Sequence, residues 1–145
     1  GEDIGSNKFM VGGSDLMVSK LNPWFSRVVY TAPELEAICS TEFVVWKTSA
    51  REIKAFLFVL ACGQHFRTFC VQNATGTSNS HKRVNPDLMM SFSVPYNKEI
   101  LEEFGNRVLP FLEARQVSQK QNQELIELRD WLLPMLMNGQ VTVDD

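Results

Sequence analysis

The sequence predicts an α/β (α+β) domain followed by one long helix, and two observations carry that prediction. Short apolar runs of strand length, Leu16-Met17-Val18, Val28-Val29-Tyr30 and Phe43-Val44-Val45-Trp46, alternate with turn clusters and one amphipathic helical stretch. From Asn97 to Gly139, leucine, isoleucine, valine and phenylalanine then recur at threes and fours. Asn97 suits an N-cap there, and Gly139 after Asn138 a C-terminal stop. The division expected is a domain over residues 1–96, a helical region over 97–139 and a tail over 140–145.

Taken in order, Gly12-Gly13-Ser14-Asp15 is a turn cluster that leads into the Leu16 strand. The loop after it, Ser19 to Arg27, mixes cations, an amide, hydroxyls and an aromatic around Pro23. Lys20 and Arg27 can meet phosphates, Asn22 can pair with a base edge, and Trp24 can pack on a sugar or base. The alternative for this loop is a hairpin connection whose tryptophan is core. Thr31-Ala32-Pro33-Glu34 reads as a turn, and Cys39-Ser40-Thr41-Glu42 leads into the clearest strand, Phe43 to Trp46.

Ser49 with Glu52 forms a capping box, followed at helical spacing by Ile53, Phe56, Leu57, Leu60 and Ala61 and stopped near Gly63. A second short helical piece carries His65, Phe66, Phe69 and Cys70. Asn73 to Arg83 then lacks any large apolar residue and closes on a cationic cluster. Hydroxyls and amides such as Thr77 and Asn79, a close backbone approach at Gly76, and the charges of Lys82 and Arg83 suit a phosphate backbone; a plain solvated loop is the alternative. Asn85-Pro86-Asp87-Leu88 reads as a turn, and Met90 to Pro95 as a strand running into the long helix.

The alternatives are an amphipathic helix packed on its own domain or, since roughly forty helical residues rise on the order of 60 Å, longer than a domain of this size is wide, a helix part of which projects or meets another helix. A heptad count passes through Val108, Leu112, Arg115, Gln119, Asn122, Ile126, Arg129, Leu133 and Leu136, apolar at both ends and polar in the middle. Amides at a buried seam weaken association but penalise shifted registers. Pro110 and Pro134 are expected to kink or divide the helix.

Composition narrows the function. Net charge is −3, unevenly spread: nine Lys or Arg face eight Asp or Glu up to Asn97, and five face nine beyond it. A nucleic-acid contact therefore belongs to the first part and another role to the acidic helix. Cys39, Cys62 and Cys70 fit neither a disulfide framework nor a zinc site. With no apolar run of membrane length and no leader or lipidation signal, the expectation is a soluble cytoplasmic protein without membrane contact. There is no glycine-flanked nucleophile, no Walker spacing and no metal-ligand spacing around His65 or His81, so no catalytic residue, metal or cofactor is assigned.

The run Leu128-Arg129-Asp130-Trp131-Leu132-Leu133-Pro134-Met135-Leu136-Met137-Asn138-Gly139-Gln140-Val141 resembles the closing segment of the specificity subunit of type I restriction-modification enzymes. The order upstream is similar to the second part of that family's target recognition domain: Gly13 to Pro23, Cys39 to Phe43, Ala74 to Thr77, and Asn85 to Leu88 before Val94-Pro95. The resemblance implies a non-catalytic reader of one half of a split double-stranded DNA site, with its helix in an antiparallel coiled coil. That helix would dock methyltransferase (modification) subunits, and the restriction subunit would join indirectly. The seam of the heptad count, with Val108, Leu112, Asn122, Ile126, Leu133 and Leu136, is expected to hold a second copy in a homodimer or another specificity half. A complete specificity subunit has two recognition domains and two helical regions against one of each here, so a fragment, half-subunit or truncated allele is expected. The rival reading is a protein-interaction adaptor with a coiled-coil helix that never touches DNA; it would expose an apolar patch where a DNA reader gathers cations.

Overall fold

The computed structural model describes residues 7–76 and 81–141. The chain is mixed α+β and divides into two compact units between Leu109 and Pro110. In the first unit, strands β1 (Lys8–Gly12), β2 (Asp15–Ser19), β3 (Val28–Tyr30), β4 (Glu36–Ser40) and β5 (Phe43–Lys47) precede two helices, α1 (Arg51–Cys62) and α2 (Gln64–Gln72). A two-residue pair, β6 (Ala74–Thr75) and β7 (Arg83–Val84), is followed by the short helix α3 (Pro86–Met90). The long helix α4 (Lys98–Met137) begins in the first unit and continues through the second.

The strands form antiparallel pairs. β2 is central in a sheet of order β3-β2-β5, with Leu16 opposite Trp46 and Val18 opposite Val44, while β1 pairs with β4. Period-two alternation sends Leu16, Val18 and Trp46 to one face, where all three are buried. Lys54, Ala55, Phe58 and Ala61 make the buried stripe of α1. Edge-on ring pairs, Tyr30 with Phe58 at 5.5 Å and Trp46 with Phe66 at 5.6 Å, join sheet to helices.

The turn between β1 and β2 is built around glycine and a buried polar cluster. A Cβ on Gly13 would lie 1.9 Å from the Pro33 carbonyl oxygen, so only glycine admits that approach. Beneath it, Lys54 donates to the carbonyls of Gly13 and Thr31 and to the Thr31 hydroxyl, each at 2.7 Å. Asp15 is fully buried, accepts the Gly12 N–H at 2.8 Å and pairs with Lys47 at 2.7 Å. Burial alone raises its pKa, but the Gly12 N–H and Lys47 outweigh that and hold the carboxylate below its ordinary range. Burial lowers Lys54 to about 8.

Several expected boundaries move. The capping box is not the start of α1: Thr48 donates its hydroxyl to the Ser14 carbonyl at 2.6 Å, and Ala50, itself extended, is the N-cap, with no side chain capping the helix. Asn85 to Leu88 is not an isolated turn. The Asn85 side chain accepts the Asp87 N–H at 2.8 Å and Pro86 supplies the preset first position, which opens α3. The expected strand from Met90 to Pro95 is absent, because Phe92 is drawn onto the Phe66 and Phe69 rings at 5.3 and 5.2 Å. β1 has no counterpart among the expected strands.

Both ends of α4 fall where the caps place them. Asn97 accepts the Ile100 N–H at 3.1 Å, and Gly139, at φ 67°, closes a C-terminal turn in which Gln140 N–H donates to Met135 O at 2.9 Å. Pro110 and Pro134 lie inside the helix, which is not interrupted at either, and the unit division falls at Pro110. No described helix is long and apolar enough to cross a membrane.

Candidate nucleic-acid interface

Two segments distant in sequence are sewn together by main-chain hydrogen bonds. Asn22 N–H donates to Lys82 O at 2.7 Å, Val84 N–H donates to Lys20 O at 3.0 Å, and Leu21 bridges Arg83 in antiparallel fashion. The β6–β7 pairing of Ala74 with Val84 and Thr75 with Arg83 closes the base of the polar loop on the same framework. At its near end, Gly76 has φ 155°, and a Cβ there would meet the His81 carbonyl at 2.8 Å. Lys20, Asn22, Lys82 and Arg83 are thereby neighbours. Thr77 and Asn79 lie outside the described residues.

The loop after β2 is held by an unusual backbone. Asn22 and Ser26 both adopt the left-handed conformation, at φ 49° and 47°, on either side of a single 3-10 turn, Pro23–Phe25. Asparagine tolerates that region better than serine, so the second position stores more strain. The turn is closed by Phe25 N–H to Asn22 O and Ser26 N–H to Pro23 O, both 3.1 Å, and Ser19 N–H to Arg27 O at 2.9 Å ties its end to β2. Arg27 is exposed, with its guanidinium 4.9 Å from the Phe25 ring centre. Arg67 of α2, which is not among the cations expected from the sequence, lines one small cavity with Arg27.

Individual assignments change accordingly. Asn22 is only 9% exposed, so its amide belongs to the scaffold of the loop and does not stand ready at a base edge. Trp24 is half-buried and packs at 5.8 Å on Phe25, which is itself exposed. Arg83 does not stand alone. Its Nε and Nη2 donate to the Glu42 carboxylate at 2.9 Å, and this pair lowers the pKa of Glu42 and raises that of Arg83. Glu42, at the turn between β4 and β5, gives no sign of this role in the sequence, because the contact joins residues with no local pattern in common. Lys20 and His81 add to the positive field on Glu42. An anion that reached Arg83 would compete with Glu42 for it.

Of the seam positions, Val108 is half-buried in the first unit; in the second, Leu112 is 7% exposed, and Asn122, Ile126, Leu133 and Leu136 are exposed. Leu125, Leu128, Trp131 and Met137 are exposed as well, so the apolar surface is wider than one heptad seam. Among the described residues there is no group of three His, Cys, Asp or Glu side chains able to hold a metal ion. Burial pushes the Cys70 thiol up to about 11, which leaves it a packing residue. Compared with known protein families, with curated proteins and with solved structures, the chain matches none.

Proposed function

We propose that the chain is a DNA-reading part of a type I restriction-modification specificity subunit, non-catalytic, with α4 as spacer and docking helix for methyltransferase subunits. The observation that carries the reading is the main-chain stitching of Lys20–Asn22 to Lys82–Val84, which gathers cations from two distant segments along one edge. Phosphate contacts from such an edge position the domain, and the polar loop between Gly76 and His81 supplies side chains for base edges. Exposed apolar side chains on α4, from Leu125 to Met137, suit a helical partner, and the excess acidity of that region keeps it off DNA.

The test is DNA affinity of the assembled methyltransferase at several salt concentrations. Replacing Arg27 and Lys82 by alanine is expected to weaken binding uniformly across sequences and to flatten the salt slope by about 1 for each phosphate no longer neutralised. Glu42→Gln, which frees Arg83, is expected to tighten binding. Unchanged affinity and slope in all three variants would sink the reading. It would leave the adaptor reading in its place.

A further inference from the structure

The small cavity beside the Pro23–Phe25 turn joins two arginines from elements far apart in sequence. Arg27 follows that turn, and Arg67 lies one turn into α2, which packs against it. The cavity measures about 10 Å3, room for a single water or a single anionic oxygen. Its apolar lining includes Ala61, Phe66 and Cys70, all buried. Serines 19 and 26 line it as well. The Ser19 hydroxyl is engaged with both main-chain groups of Leu21, whereas that of Ser26 meets no partner among the described residues.

Charge balance sets these two arginines apart. Arg83 holds Glu42, Arg107 holds Glu103 and Arg129 holds Asp130. Among the described residues, Arg27 and Arg67 hold no carboxylate. Arg27 lies over the Phe25 ring, and Arg67 Nη2 donates to the neutral Gln64 amide oxygen. Both contacts orient a guanidinium and leave most of its five N–H donors available. Two like charges lining one small cavity repel each other, and an anion bound there replaces that repulsion by attraction. Ser26 stands in the same lining at φ 47°, and backbone strain of that kind gathers at ligand clamps.

We propose that Arg27 and Arg67, with the Ser26 hydroxyl, clamp one phosphate group of the DNA backbone. A phosphodiester suits the donors, because each guanidinium fork meets anionic oxygens and the cavity admits no group larger than one oxygen. Ser19 N–H donates to Arg27 O at 2.9 Å and Ser19 precedes Lys20, so the clamp is continuous with the backbone of the cation edge. The proposal rests on the DNA reading and deepens it: α2, outside the two stitched segments, supplies a contact to the duplex.

The experiment is the salt dependence of DNA affinity in the assembled methyltransferase carrying Arg27→Ala, Arg67→Met or both, with Lys82→Ala beside them. Arg67→Met keeps an apolar stem against the cavity and removes only the fork, which separates lost charge from lost packing. It is expected to weaken binding about tenfold, uniformly across sequences. Because both arginines hold one phosphate, the double variant is expected to lower the salt slope by about 1 in total and to lose less affinity than the two single losses combined. Unchanged binding in Arg67→Met, while Arg27→Ala and Lys82→Ala still weaken it, overturns the clamp and leaves the DNA reading standing. Additive losses with a slope lower by about 2 overturn the shared phosphate. Unchanged affinity in every variant, Lys82→Ala included, sinks the DNA reading itself. The arginine side-chain N–H resonances of the 145-residue chain then decide the source under inorganic phosphate: a common shift of Arg27 and Arg67 assigns the pair to a free phosphate in place of DNA, and no shift overturns the site altogether.

Discussion

Lys54 is the residue on which the first unit most visibly depends, because a charged group 3% exposed must repay its desolvation through its partners. It does so through two carbonyls, one hydroxyl and the face of Tyr30 at 4.0 Å. Folded Lys54 releases its proton near pH 8, against an ordinary value of 10.5. Between those values the unfolded chain binds more protons, so stability is expected to rise with pH, by at most about 1.4 kcal/mol per unit. Lys54→Met is expected to flatten that slope and, by stranding the Gly13 and Thr31 carbonyls, to cost about 2 kcal/mol at neutral pH. Urea titrations of both proteins across pH 7 to pH 10.5 measure both effects. A steeper slope in the variant would contradict the account. The inward lysine was not legible beforehand: in the helical pattern it occupies a position that any solvated lysine fills equally well.

Among the elements, α1 and the first turns of α4 touch more closely than side chains permit. A Cβ on Gly105 would stand 2.2 Å from the Glu52 carbonyl oxygen. In an isolated helix, glycine to alanine stabilises by about 1 kcal/mol. Gly105→Ala is expected to reverse that sign and destabilise by about 2 kcal/mol, since backbone must move. Thermal unfolding decides it, and a raised midpoint would show that the helices separate at no cost. Elements built from local signals were readable in advance: β2 and β5 from compact apolar runs, α2 from its periodicity, α4 from its caps. Elements that depend on distant partners were not. β1 exposes Phe9 and Met10 and exists through its register with β4, and the chain around Phe92 obeys an aromatic cluster over its own alternation. The candidate interface divides the same way, its cations visible as residue types and the Glu42 partner of Arg83 visible only in the folded chain.

For the molecule as a whole, the acidic helical unit is expected to self-associate in antiparallel fashion at concentrations on the order of tens of micromolar. Sedimentation should show dimers, and glutamate at both Ile126 and Leu133, which are exposed, should return monomers. Leu112 is a poor probe because it is buried. A monomer of the unaltered chain would leave its exposed leucines for a different partner. In the first unit, the edge that carries Lys20 and Lys82 is held by N–H and C=O groups, from Asn22 to Lys82 and from Val84 to Lys20. At Lys20, Lys82 and Val84 those bonds do not depend on which side chain the position carries, proline excepted, while Asn22 at φ 49° favours asparagine or glycine. The cations of that edge can therefore be exchanged while its framework stays intact, whereas Asn22, buried and left-handed, is tied to the framework itself.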